Sequence, residues 1–303
     1  MKPELAHVRA VSRGEAAGTS YSVHAPQCAN ARETVVLIHG VGMNQSVWAP
    51  QIDALTSAYQ VVVYDMLGHG NSALPTAMPT LDEYAAQLDA LLDTLQIGRA
   101  HVVGHSMGAL VALEFALAHP ERTLSVTALN AVYDRTPAQR AAVMNRAATL
   151  GEASAEKPAE AGIEATLSRW FGDPVPAHLT QAARAVRGLL LSVDPVGYAR
   201  TYRLFASSDD AHVGRLASLP VPALFLTGEC DPNSSPAMSR AMAAATPHGR
   251  AEIIANERHM MNVTDPARVN ASLLAFLAEV SASSPRAAAQ YAVNGSISGE
   301  HHG

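Results

Sequence analysis

Short, wholly apolar, β-branched runs punctuate the first half of the chain and alternate with stretches of helical periodicity. Thr34-Val35-Val36-Leu37-Ile38 and Gln60-Val61-Val62-Val63-Tyr64-Asp65 lack the polar alternation of a half-solvated strand. They predict strands covered on both faces. Ala100-His101-Val102-Val103 and Leu124-Ser125-Val126-Thr127-Ala128-Leu129 are of the same kind, and Tyr21-Ser22-Val23-His24 reads as an early edge strand. Between them lie helical patterns: from about Ser46 through Trp48, Ile52 and Leu55, then Leu81, Tyr84, Leu88, Leu91, Leu92 and Leu95, then Ala109 to Leu117. Thr80-Leu81-Asp82-Glu83 opens the second of these as a capping box. Strand alternating with helix predicts an α/β fold with a parallel sheet and right-handed crossovers.

The alternation stops between about Asp134 and Ala211, where alanine-rich, arginine-dotted stretches are broken by Pro158, Pro174, Pro176 and Pro195. This predicts a helical cap over the C-terminal edge of the sheet, covering 134–211, with the core made of 1–133 and 212–280. The sheet resumes with Ala223-Leu224-Phe225-Leu226-Thr227-Gly228, a helix around Met238 to Ala245, and a strand Ala251 to Ala255. A last helix opens at Asp265-Pro266, with Val269, Leu273, Phe276, Leu277 and Val280 as its apolar stripe. Residues 281–303, rich in Ser, Ala, Gly and Asn, read as a flexible tail; the His301-His302 pair reads as solvated rather than metal-binding.

Composition narrows the partners. A chain of 303 residues with 21 basic and 27 acidic side chains and a net charge of −6 shows no basic cluster, which argues against nucleic acid and anionic membrane. Cys28 and Cys230 make no disulfide framework. Met1 to Ala10 carries no apolar signal core, and no apolar run approaches the ~18 residues of a membrane span. The expectation is a cytoplasmic protein acting on a small molecule, with a homo-oligomer compatible with the sequence and no metal site.

The chemistry centres on Gly104-His105-Ser106-Met107-Gly108, set between a strand and a helix. A Gly-x-Ser-x-Gly turn in that context lifts the serine hydroxyl above the sheet and aims a helix N-terminus at the reacting centre. A serine hydroxyl needs a base, and the base needs an acid. Asp231, in Gly228-Glu229-Cys230-Asp231-Pro232 after the resumed strand, is the acid candidate, with Glu229 and Asp134 as alternatives. His259, in the loop before the last helix, is the leading base among 13 histidines. His105 should point away from the hydroxyl, His39 and His69 sit in glycine loops, and His101 reads as a structural strand residue. The glycine loop His39-Gly40-Val41-Gly42 places the backbone N–H of Val41, with that of Met107, as oxyanion donors; its spacing is not that of a dinucleotide fingerprint or a P-loop. Met43, Trp48, Trp170 and Phe171 are candidates for the pocket lining.

Together with Asp65-Met66-Leu67-Gly68-His69-Gly70-Asn71-Ser72, these motifs resemble the α/β-hydrolase superfamily over about residues 20 to 280. The resemblance implies a mainly parallel eight-stranded sheet flanked by helices, a helical cap inserted after the sixth strand, and no cofactor. It implies Ser106 as nucleophile, His259 as base, Asp231 as acid, and Val41 and Met107 as oxyanion donors. Within the superfamily the chain is most similar to 3-oxoadipate enol-lactonases, small carboxylesterases and meta-cleavage product hydrolases. Met260-Met261-Asn262-Val263, after the base, resembles the lactonase type. No arginine cluster in the cap stands out as a dicarboxylate holder, although Arg184, Arg187, Arg200 and Arg203 are available. Ser106 argues against haloalkane dehalogenation, which needs an aspartate there. The first reading is serine hydrolysis of a small carboxylic ester or lactone. The alternatives are hydrolysis of a C–C bond or an amide, and a non-catalytic ligand-binding role.

Overall fold

The computed structural model describes residues 12–28, 33–150 and 160–283. The strands are β1 (Ser12–Ala16), β2 (Thr19–His24), β3 (Thr34–Ile38), β4 (Gln60–Tyr64), β5 (Ala100–His105), β6 (Thr123–Leu129), β7 (Ala223–Gly228) and β8 (Gly249–Ile254). They form one eight-stranded sheet in the order β1-β2-β4-β3-β5-β6-β7-β8. β2 is antiparallel to both β1 and β4, and every other neighbouring pair is parallel. The mainly parallel eight-stranded sheet is therefore as expected. β1, Ser-Arg-Gly-Glu-Ala, was invisible to hydrophobic pattern because it is largely exposed and held by its ladder to β2.

Alternate residues of a strand face opposite sides of the sheet. Val36 and Ile38 of β3 join Val62, Tyr64 and Val102 in one apolar layer, under α2 (Leu81–Thr94) and α3 (Met107–Ala118). Val35 and Leu37 join Val61, Val63 and Leu224 in the other, under α1 (Ala49–Leu55) and α10 (Pro266–Ser283). This double covering is why both faces of the central strands had to be apolar. Each such Val, Leu or Ile contributes about 1.5–3 kcal/mol of burial. α3 is buried from Met107 through Ala116, so it is apolar all round rather than striped. The expected capping box of α2 forms only in half. Thr80 accepts the Glu83 N–H, but the Glu83 carboxylate turns away to the N–H and hydroxyl of Thr76.

Between β6 and β7 the described residues form α4 (Pro137–Thr149), α5 (Glu160–Phe171), α6 (Thr180–Ser192) and α7 (Pro195–Ser207), with no strand. The two ends of this segment meet: the Asp134 N–H donates to the Asp209 carbonyl at 2.8 Å and the Arg135 N–H to the Asp209 carboxylate at 2.9 Å. After β7 come α8 (Pro236–Ala245), β8, a single turn α9 (Met261–Thr264) and α10. α10 runs on to Ser283, past the boundary at 280 expected for the tail. The remainder of that tail, with His301 and His302, lies outside the described residues. The loops that matter chemically leave β3, β5, β6, β7 and β8 at one edge, the C-terminal edge of the parallel strands, where ligands gather in such sheets.

Candidate active site

Ser106 joins β5 to α3 with φ 56° and ψ −114°, a left-handed conformation that costs a non-glycine residue energy. The flanking glycines let the turn form. A Cβ on Gly104 would collide with the backbone of Gly108, and one on Gly108 with the carbonyls of Ile38 and His39. The Ser106 N–H is anchored on the Leu129 carbonyl at 2.9 Å. Met107, the first residue of α3, has an N–H beyond the reach of the intrahelical ladder. The glycine loop lies against the serine: a Cβ on Gly40 would come within 3.2 Å of Ser106 Cβ.

His259 and Asp231 meet Ser106 from their separate loops. His259 Nε2 lies 3.2 Å from Ser106 Oγ, and His259 Nδ1 lies 2.8 Å from Asp231 Oδ2. All three are buried. With Nδ1–H donated to the carboxylate, Nε2 is left as an acceptor for the serine proton. Burial alone would raise the Asp231 carboxyl. The charge and hydrogen bond of His259, the Asn233 N–H and the Asn130 amide outweigh it and hold the group below its usual range. Neither alternative acid is in this chain of contacts. Glu229 is exposed and accepts the Asn256 N–H, and Asp134 is tied by its N–H to Asp209.

Four other histidines, His39, His69, His105 and His101, are tied into the scaffold. Burial lowers His39 to about 4 and His69 to about 3, so both are neutral near pH 7. His39 Nδ1–H donates to the Gly40 carbonyl and its Nε2 accepts the Met66 N–H. His69 Nδ1–H donates to the Leu67 carbonyl and its Nε2 accepts the Gly42 N–H at 3.0 Å. Two imidazoles thus fix the backbone on either side of Val41. His105 turns away from Ser106 Oγ and reaches the His259 carbonyl. His101 is hydrogen-bonded to Ser125 and Glu33 within the sheet.

A cavity of ≈ 360 Å³ opens onto the serine. Val41, Ser106 and His259 line its floor; Trp170, Tyr198, Tyr202 and Phe205 supply aromatic walls. The Trp170 ring lies 5.4 Å from that of His259. Met43, Trp48 and Phe171 are instead buried in the apolar layer beneath. Three cations also line the cavity: Arg135, Arg146 and Arg169. This corrects the expectation that no arginine cluster faces the substrate. They come from the loop after β6, from α4 and from α5, so no stretch of sequence clusters them. None of Arg184, Arg187, Arg200 and Arg203 lines the cavity. Arg135 is neutralised by Asp209 at 3.3 Å and stacks over Phe205. Arg146 donates to Thr166 and lies over the Tyr202 ring. Among the described residues, no carboxylate forms an ion pair with Arg146 or Arg169. Burial, and then the neighbouring charge of Arg146, lowers the Arg169 guanidinium below its ordinary range. Two like charges lining one cavity, with no carboxylate partner among the described residues, favour an anion between them. Among the described residues, no group of three His, Cys, Asp or Glu side chains is placed to hold a metal ion. No helix there is long and apolar enough to cross a membrane.

A serine hydroxyl, an imidazole, a carboxylate and an aromatic, cationic cavity are thus in one place. A family model described as the alpha/beta hydrolase fold matches residues 33–266. The (E)-2-((N-methylformamido)methylene)succinate hydrolase of Acinetobacter baylyi is 38% identical over 245 residues, 81% of this chain and 90% of that protein. The 3-oxoadipate enol-lactonase 1 of the same species is 29% identical over 253 residues, 82% of this chain and 88% of that one. The crystal structure of the enol-lactonase from Burkholderia xenovorans superposes with a TM-score of 0.75 at 27% identity, covering 88% of this chain and all of that one.

Proposed function

The chain belongs to the α/β-hydrolase family, and from that premise we propose that it is a serine hydrolase of small acyl compounds carrying carboxylates. It is an enzyme of hydrolase type; the nucleophile, the bond and the substrate charge are the proposed part. The observation that carries the reading is the convergence of Arg146 and Arg169 on the cavity that holds Ser106 and His259.

Ser106 Oγ attacks the carbonyl carbon as His259 Nε2 takes its proton. Asp231 stabilises the imidazolium and keeps its Nδ1–H in line. The oxyanion rests on the N–H groups of Val41 and Met107. The tetrahedral intermediate collapses, His259 gives its proton to the leaving group, and an acyl-enzyme remains. Water then repeats the sequence, with His259 again as base, and frees the acid and Ser106. Residues 134–211 act as the cap: they contribute the arginines and aromatic walls that hold the rest of the substrate, so that binding energy away from the carbonyl orients the reacting atoms.

Within this class the bond is an amide or a lactone. The relative at 38% identity is named for an N-formyl enamide on a succinate skeleton. Arg146 and Arg169, with no carboxylate partner among the described residues, suit that dianion, which makes an N-acylaminomethylene dicarboxylate the first substrate to try. A carboxylate-bearing enol lactone, a narrower case of the ester or lactone expected from the sequence, is second. Turnover of both is compared with neutral p-nitrophenyl acetate, in wild type and Ser106→Ala. The expected result is a kcat/KM on one anionic substrate at least about 100-fold above the neutral ester, and a loss of at least about 10⁴-fold in Ser106→Ala. Equal turnover of neutral and anionic substrates overturns the substrate class. An active, folded Ser106→Ala overturns the serine mechanism.

A further inference from the structure

Asn130 follows directly on β6, fully buried, with φ 49°. Asparagine tolerates that left-handed conformation better than most residues. Its Nδ2 donates to Asp231 Oδ2 at 2.7 Å and lies 3.4 Å from both Thr227 Oγ1 and the Arg258 carbonyl. Its own carbonyl takes the Ser234 hydroxyl at 2.6 Å. One residue therefore ties the end of β6 to the acid's loop and to the residue before the base. The amide orientation follows from the network, since the reverse would set two acceptors 2.7 Å apart. Its Oδ1 is buried with no hydrogen-bond partner among the described residues. The donor end is thus the one in use.

The two oxygens of Asp231 are held differently. Oδ1 accepts the Asn233 N–H at 2.8 Å, whereas Oδ2 accepts both the Asn130 amide and His259 Nδ1–H. Amide and base share one oxygen. We propose that Asn130 is a positioning residue of the Asp231–His259 pair, fixing the carboxylate in plane with the imidazole and setting the basicity of His259. The proposal rests on the triad reading above. An oxygen carrying two N–H donors lends less of its charge to each. The neutral amide keeps Asp231 ionised yet tempers its pull on the imidazolium, so that His259 can release its proton to the leaving group. An isosteric leucine at 130 would leave Asp231 Oδ2 to His259 Nδ1–H alone. Among the described residues, the other charged and titratable groups on the His259 side are His105 from β5 and, across the cavity, Arg135, Arg146, Arg169, Tyr198 and Tyr202. They stay the same when residue 130 changes.

Two variants separate donor from shape. Asn130→Gly removes the side chain at a backbone position where glycine is unstrained. Asn130→Leu keeps the approximate volume and removes the donor. The titration midpoint of the His259 imidazole is read by NMR, its signal assigned by its loss in His259→Gln. The pH dependence of kcat/KM on p-nitrophenyl acetate is followed in parallel. The midpoint is expected to rise by about 0.5 pH in both Asn130→Gly and Asn130→Leu. The acidic limb of kcat/KM should rise with it, and kcat should fall about tenfold with KM nearly unchanged. A midpoint that stays or falls in the folded variants overturns the proposal and leaves Asn130 a packing role. If one of the two variants fails to fold, the other alone decides. The NMR readout needs no turnover, so an inactive wild type or an active Ser106→Ala would strike the function reading and leave this one to its own result.

Discussion

His105 donates its Nε2–H to the carbonyl oxygen of His259 at 2.8 Å, so the residue before Ser106 holds the backbone of His259. Burial, and then the neighbouring His259, lowers His105 to about 3. The ring is therefore neutral over any working pH, and its one proton is committed to that carbonyl. His105→Phe keeps the ring volume and removes the donor. We expect kcat/KM to fall about tenfold, with most of the loss in kcat, because the His259 carbonyl loses its partner and Nε2 drifts from Ser106. Steady-state kinetics on p-nitrophenyl acetate check this.

The arginine pair predicts a selective loss. Arg146→Ala and Arg169→Ala should each lower kcat/KM about 10–100-fold on a carboxylate-bearing substrate, chiefly through KM, and several-fold less on a neutral ester. The comparison of the two substrates in each variant is the measurement. A parallel loss on both would mean that the arginines hold the helical segment rather than the substrate.

The acid limb of stability should be set partly by Glu114. Burial alone would raise this α3 carboxyl. The hydrogen bonds from His212 (3.1 Å) and Arg215 (2.8 and 2.7 Å) outweigh burial and bring it to about 2. Because the folded value lies below the unfolded one, its contribution is complete above the ordinary carboxylate value of 4.5 and is lost as pH falls towards 2. Glu114→Gln should cost on the order of 2 kcal/mol at pH 7, and the gap from wild type should narrow below pH 4. Urea unfolding at pH 7, 5 and 3.5 measures it. Since Glu114 lies on α3 and its partners follow α7, the same bonds pin the end of the inserted segment to the core.

Much of the sheet was legible because burial on both faces leaves a local mark: Val-Val-Leu-Ile and Val-Val-Val-Tyr can be read without knowing their neighbours. Ser106, Asp231 and His259 were legible as positions, each in a loop just beyond a strand of that sheet. β1 was not, because it is held by backbone pairing that any residues can make. The full capping box at Thr80 was not, because Glu83 had a second partner in Thr76 that no short motif contains.

The sequence by itself determined the strand–helix alternation, the strained serine turn with its two obligatory glycines, and the chain order of Ser106, Asp231 and His259. These follow from residue spacing and from steric limits that act over a few positions. Tertiary structure alone decided what surrounds them. Arg135, Arg146 and Arg169 meet because the segment between β6 and β7 folds back over the sheet edge, with both its ends fastened at Asp209. Asn130 reaches Asp231 across 101 positions because β6 and β7 are neighbours in the sheet. Periodicity records which face of an element is buried. It carries no record of which distant side chain comes to lie opposite, and the charge and shape of this cavity are made of such meetings.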